Sequence, residues 1–381
     1  MTFQNIPGHT ELKAYFSKIV SSGRVPHAIL LTGGEGYGKL ALSWALATYL
    51  QCKNKGATDA CGECTSCRKA LQNIHPDIHF AFPVIKKDKL TRAETTSKDF
   101  IIEWRNFLAE QPYGDLNEWL TSLGAPDKNP NINVAECNHI IKNLGLMTYE
   151  GAYKIQIIWY AELLGKEGNR LLKLIEEPSD DTIIILIANN RTQVLNTLRS
   201  RCQIVSVAPV DDASMLSYIG EKYDLNEEDT QELAFLSAGN LRKASFLGNT
   251  VEMNYSEQLL DWLRAGYSGD PEKLVAASEE LAATGRQEIT NFLEYGLHFF
   301  REYFLFLNIG DENLLRLTAT EKSAAMKMTK IIDHEKIERL QQLFEKSSGQ
   351  VKRNLNLKSL MMHMSLEINN ILRSEVNNLV T

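Results

Sequence analysis

The sequence predicts an α/β core, a parallel sheet with helices on both faces, followed by an all-helical C-terminal half. Three observations carry this. A short apolar run at residues 29–31 feeds a glycine loop and then a helical stretch, apolar runs alternate with helical spacing as far as Val207, and only helical periodicity follows Asp211. At 381 residues the chain is long for one core, so two or three domains are expected. Its 44% hydrophobic and 23% charged residues are those of an ordinary globular protein. The formal charge of -7 disfavours a generally basic nucleic-acid binder, so any DNA contact is expected to be local or mediated by partners. Met1 to Pro7 lacks the basic and apolar regions of a signal peptide, and a cytoplasmic protein is expected.

Residues 3–23 read as an amphipathic helix entered through Pro7-Gly8, with Leu12, Tyr15, Phe16, Ile19 and Val20 on one face. Thr32-Gly33-Gly34-Glu35-Gly36-Tyr37-Gly38-Lys39 is too glycine-rich for helix or strand, and residues 40–50 have helical spacing. Gly33, Gly38 and Lys39 match the glycines and lysine of a phosphate-binding loop, in which backbone N–H groups and an ammonium surround a polyphosphate at a helix N-terminus. Leu40 stands where a Ser or Thr hydroxyl would hold Mg²⁺.

Four of the six cysteines fall together as Cys52-x8-Cys61-x2-Cys64-x2-Cys67, while Cys137 and Cys202 are isolated. In a reducing compartment this spacing favours metal over disulfides, and four thiolates close a tetrahedron with no position left for substrate. The expectation is one structural Zn²⁺. An iron–sulfur cluster and metal-free thiols are the alternatives. His75 and His79 are possible extra ligands, but beside four cysteines they read as structural.

Residues 78–82 alternate as a strand. Residues 83–130 begin with Lys86-Lys87-Asp88-Lys89 and continue with apolar spacing through Phe100, Ile101, Trp104, Phe107 and Leu108, then Leu116, Trp119, Leu120 and Leu123. They read as an inserted helical hairpin with solvated lysines and core tryptophans. The strand at 155–159 is where a nucleotide hydrolase would end in Asp-Glu, for the metal and the attacking water. Trp159 and Tyr160 stand there instead, and neither binds a hard cation as a carboxylate does. A helix over 163–177 stops before Pro178, a buried strand spans 182–188, and Asn189-Asn190 after it can meet a phosphate or cap a turn. Ser200-Arg201-Cys202 precedes a last strand at 203–207. Beyond it Asp211 and Asn226 are N-caps, Gly239 ends a helix, and residues 291–308 form a helix apolar on nearly every side.

The order of these features resembles clamp-loader subunits of the AAA+ family, those of bacterial DNA polymerase III above all. The likeness runs through Pro26-His27-Ala28, the glycine loop, the four cysteines, His75-Pro76-Asp77 and Asn169-Arg170-Leu171-Leu172-Lys173-Leu174-Ile175-Glu176-Glu177-Pro178. It continues through Ser200-Arg201-Cys202, Ala238-Gly239-Asn240-Leu241-Arg242 and Asn354-Leu355-Asn356. Leu40, Trp159, Tyr160 and the 83–130 insertion depart from it. The resemblance implies an AAA+ P-loop core at 1–208 with a zinc module at 52–67, a small helical lid at 209–250 and a C-terminal helical collar for oligomerisation at 251–381. It implies a stator without ATPase activity of its own in the polymerase III holoenzyme, beside ATP-hydrolysing tau or gamma subunits and delta, loading the sliding clamp onto primed DNA. Arg201 would be an arginine finger acting on a neighbour's ATP, with a salt-bridged surface arginine as the alternative, and Arg242 the lid arginine that senses nucleotide or, without turnover, only bridges lid to core. Whether ATP or ADP still occupies Gly33, Gly38 and Lys39 is left open by the residues. An independent ATPase motor and a zinc-dependent DNA-binding protein are the readings from other classes.

Overall fold

The computed structural model describes all residues except 88, 89, 92, 127, 249–254, 313–314, 352–355 and 375–381. Asp88 and Lys89 of the lysine run, and Asn354 and Leu355 of the C-terminal motif, therefore lie outside the described residues. The chain forms two compact units, Met1–Glu221 with Ser237–Phe246, and Lys222–Leu236 with Leu247–Thr381.

The first unit is built on a five-stranded sheet, β1 (Ala28–Thr32), β2 (Ile78–Ala81), β3 (Lys154–Trp159), β4 (Thr182–Ala188) and β5 (Gln203–Ser206), in the order β2-β3-β4-β1-β5. Every pairing is parallel, with Leu30 opposite Leu186 on one side and Ile204 on the other. β1, β3 and β4 are buried along their whole length, as unbroken apolar runs require when helices cover both faces.

Helix α1 spans Thr10–Ser21, α2 Lys39–Gln51 and α3 Thr65–Leu71. The expected single helix over 3–23 is instead a 3₁₀ turn at Phe3–Asn5 and α1, because Gly8 and His9 both take positive φ between them. Every residue of α2 is buried: the helix packs on β1, β3 and β4, and α3 is tied across it by Trp44 Nε1 donating to Ala70 O at 2.8 Å.

Helices α4 (Ile101–Glu110) and α5 (Leu116–Ser122) leave the sheet after β2, and the excursion closes where Val84 and Asn131 exchange backbone hydrogen bonds of 3.0 and 3.2 Å. Trp104 and Trp119 are both 0% exposed. Trp104 stacks on Phe82 at 4.1 Å and meets the Trp159 ring at 5.1 Å, while Trp119 Nε1 donates to Pro83 O. The insertion thus buries the carboxyl end of β3, which gives Trp159 an apolar partner where a solvated carboxylate would otherwise stand. Lys87 is paired with Glu103 at 2.7 Å.

Helix α6 is Val134–Leu144 and α7 Leu172–Glu176. The continuous helix expected over 163–177 is broken: Ala161–Leu171 is a 3₁₀ segment interrupted at Gly165, whose φ of 50° and ψ of -142° leave the helical region, and only α7 is α-helical. Helix α8 (Asn196–Arg199) precedes β5, and α9 is Asp212–Lys222, α10 Glu227–Ser237 and α11 Leu241–Gly248. Asp211 and Asn226 accept the N–H groups of Ser214 and Asp229 at 2.9 and 2.8 Å, as N-caps do.

In the second unit α12 (Tyr255–Ser268), α13 (Pro271–Ala283), α14 (Arg286–Ile309), α15 (Ala319–Met328), α16 (His334–Val351) and α17 (Leu357–Arg373) pack around Trp262, Phe292, Phe300 and Phe344. Gly296 lets α14 meet the Phe344 ring, which a Cβ there would approach to 2.4 Å. No helix among the described residues is long and apolar enough to cross a membrane.

Candidate metal centre and phosphate loop

Cys52 ends α2, Cys64 caps the N-terminus of α3, and Cys67 lies in its first turn, so two helix ends and the turn between them deliver the sulfurs to one point. All four Sγ atoms lie within 4.8 Å of one another, with Cys52 to Cys61 at 3.6 Å and Cys61 to Cys67 at 3.9 Å. A tetrahedron of sulfurs about 2.3 Å from Zn²⁺ has an edge of about 3.8 Å, which the Cys52–Cys61 and Cys61–Cys67 separations match, so the group could hold that ion. The N–H groups of Cys61, Cys64 and Cys67 point at the sulfurs of Cys52, Cys61 and Cys64 at 3.3, 3.4 and 3.4 Å. Burial pushes the Cys52 and Cys67 thiols up, whereas Cys64 comes down to about 6, the N–H groups of Cys67 and Lys53 outweighing its burial.

Neither histidine joins this group. His75 is buried with Nε2 at 2.9 Å from Ser66 Oγ, and its Nδ1 accepts the Asp77 N–H; Ser66 in turn donates to Gln51 O at the end of α2. Asp77 accepts the N–H groups of Tyr149, Glu150 and Gly151 at 2.6, 2.9 and 2.7 Å. The His-Pro-Asp motif is therefore a brace between the cysteine knuckle and the loop before β3.

The glycine loop leaves the carboxyl end of β1 and enters α2 through Gly38, whose φ of 81° is left-handed. Gly36, at φ 72°, lies so close to Asn240 that a Cβ would come within 1.9 Å of its side chain. Asn240 Nδ2 donates to Glu35 O at 3.0 Å and the Leu241 N–H to Gly36 O at 2.9 Å, so the segment before α11 holds the loop by its backbone. Lys39 is 5% exposed, and its ammonium donates to Gly33 O at 2.7 Å and Gly34 O at 2.5 Å. Burial lowers its pKa to about 8, against the pull of Glu162 and Glu35.

Leu40, Trp159 and Tyr160 are all buried. The Tyr160 hydroxyl donates to Glu35 Oε1 at 2.5 Å, and Asn189 Nδ2 donates to the same oxygen at 2.9 Å. Asn190 accepts from the Thr192 N–H at 2.9 Å and so serves its own turn. Glu162 lies beside them with one oxygen accepting the Asn189 N–H at 3.0 Å; burial raises its pKa. Glu35, Glu162 and Asn240 carried no site expectation, and the position of Glu35 between two loop glycines is the signal that could have found it.

Arg242 forms ion pairs with Asp115 Oδ2 and Glu118 Oε2, both at 3.0 Å. Arg201, just after α8, is paired with Glu176 of α7 and donates to Thr197 O at 2.9 Å, yet its side chain keeps 38% of its surface exposed.

These features define an α/β protein with a glycine loop at the carboxyl end of β1 and a four-cysteine knuckle beside it. The chain belongs to the family described as DNA polymerase III, delta subunit, whose model matches residues 8–211. It is 28% identical over 226 residues to DNA polymerase III subunit delta' of Yersinia pestis, covering 59% of this chain and 54% of that protein. It is 26% identical to subunit delta' of Escherichia coli, over 72% of this chain and 71% of that one. Subunit tau of Escherichia coli is 23% identical over 64% of this chain and 32% of its own length. In the Yersinia protein the match thus spans about half the relative's length.

Proposed function

We propose that the chain is the delta-prime subunit of a bacterial DNA polymerase III clamp loader, a non-hydrolysing partner of tau or gamma and delta in loading the sliding clamp onto primed DNA. In this reading residues 1–208 are an AAA+ core, 209–250 a helical lid and 251–381 a collar that joins a ring of subunits at the cytoplasmic, nucleoid-associated replisome. The observation that carries it is the set of side chains around the loop. Phosphoryl transfer needs a bound Mg²⁺ and a positioned water, and Leu40, Trp159 and Tyr160 supply neither.

Cys52, Cys61, Cys64 and Cys67 would hold one Zn²⁺ that crosslinks α2 to α3; as a closed site it supplies stability and no reactive position. Arg201 is the residue that acts on a partner. Its ion pair with Glu176 is partly exposed, and such pairs contribute at most about 1 kcal/mol, so the guanidinium can exchange it for a neighbour's phosphate, which its planar fork binds in two places.

The test has two parts. Mixed with tau or gamma and delta, the chain should enter a complex of discrete mass; alone with Mg²⁺ and ATP it should show no turnover. Failure to assemble, or turnover by the lone chain that Lys39→Ala abolishes, would refute the proposal.

A further inference from the structure

The turn between α4 and α5 of the insertion lies over the glycine loop. Pro112, Tyr113 and Gly114 border the space above Gly36, Gly38 and Lys39, and the cavity left there measures about 20 Å³. That admits roughly one water molecule, whereas small-molecule sites measure about 300 Å³ or more. Tyr113 is 8% exposed, and its ring lies 3.9 Å from where a Cβ on Gly38 would be.

The turn is held at its C-terminal end. Asp115 caps α5 by accepting the Glu118 N–H at 2.8 Å, and Glu118 accepts the Asp115 N–H at 2.9 Å, so the two carboxylates are fixed side by side. Together they take Arg242. One residue further, the Leu116 N–H donates to the Tyr160 hydroxyl at 3.1 Å, joining the turn to Tyr160 and through it to Glu35 of the loop. Both cations that would meet an incoming anion are thereby engaged within the chain, Lys39 by loop carbonyls and Arg242 by the insertion.

We propose that residues 112–118 are a built-in ligand of the nucleotide site: Tyr113 fills the mouth of the loop, and Asp115 and Glu118 take Arg242 in place of a nucleoside phosphate. The contact between α11 and the core that a nucleotide would control is then permanent. This deepens the reading of a core that does not hydrolyse ATP and takes from it the identity of the loop, and it assigns a role to the insertion.

The experiment is a titration of the full-length chain with fluorescent ATP and ADP analogues and Mg²⁺. The parent is expected to give no saturable binding. The variant carrying Tyr113→Ala, Asp115→Asn and Glu118→Gln should bind saturably, at concentrations about tenfold or more below the highest at which the parent shows none, and Lys39→Ala in that background should remove the binding. Should the triple variant fail to fold, as judged by near-ultraviolet circular dichroism, Tyr113→Ala alone is expected to show a smaller gain of the same sign. Saturable binding by the parent overturns the proposal, as does a folded variant that still binds nothing. Turnover is scored separately: an opened variant that binds without hydrolysing leaves the non-hydrolysing reading intact, whereas hydrolysis by the parent removes that reading.

Discussion

The cysteine knuckle and the glycine loop sit at opposite ends of α2, and they keep the promise of their motifs to different degrees. At the C-terminal end, the four sulfurs lie within 4.8 Å of one another, with N–H groups aimed at three of them. At the N-terminal end the glycines and Lys39 are in place, yet the ammonium is turned onto Gly33 and Gly34, and the mouth is covered by Tyr113. A metal knuckle carries all its ligands in one short stretch, so its spacing nearly states its geometry. A phosphate loop takes its metal, its water and its free entrance from distant segments, so its motif states only part of the site.

The largest effect should come from breaking the knuckle. Cys64→Ser is expected to lower zinc content from about one per chain toward zero and to lower Tm more than any single core substitution, because closing such a site contributes folding free energy outright. Metal analysis beside thermal unfolding checks this; a zinc-free parent, or a variant of unchanged Tm, would break the contrast.

Next is the apolar seat of the insertion. Trp104→Ala removes a side chain that touches Phe82, Phe107, Trp119 and Trp159 and should cost about 3–5 kcal/mol, read by denaturant unfolding. A cost below about 1 kcal/mol would mean that the insertion does not close on β3.

The smallest effect concerns Glu136 of α6, whose Oε2 accepts the Ser97 N–H of the insertion at 2.6 Å. Burial pushes this carboxyl up to about 7 from the ordinary 4.5. Between those values the unfolded chain releases a proton that the folded chain keeps, so stability falls as pH rises through that window. Glu136→Gln retains an acceptor but no charge, and should be near neutral at pH about 4 and stabilising by about 1–2 kcal/mol at pH about 8. A difference independent of pH would place the group outside the buried environment.

Much of the fold is legible because burial on both faces leaves little else for unbroken runs such as Ile183 to Ile187 to be. The errors have local causes. Leu164, Leu171, Leu172, Leu174 and Ile175 suggest one helical face across Gly165, and the pattern hides the positive φ that breaks the helix there. Pro7-Gly8 reads as an entry turn, but the left-handed pair Gly8 and His9 stops the helix from beginning before it. At the site, the pairing of Arg242 with Asp115 and Glu118 joins segments that no local pattern connects. Tyr160 is legible as a lost carboxylate, but its hydrogen bonds to Glu35 and the insertion are not.

The role proposed for Arg201, a contribution to ATP hydrolysis only at a neighbour's site, is open to direct measurement. The most direct measurement compares DNA- and clamp-stimulated ATP hydrolysis by reconstituted rings, matched for assembly, that carry the parent chain, Arg201→Ala, Arg201→Lys or Lys39→Ala. An arginine finger contributes roughly 10³-fold or more at its own site, diluted in a ring by the sites it does not serve. Arg201→Ala should therefore lower total turnover and clamp loading, Arg201→Lys should recover little, and Lys39→Ala should match the parent. Parent-like turnover with Arg201→Ala, or a loss with Lys39→Ala, would contradict it.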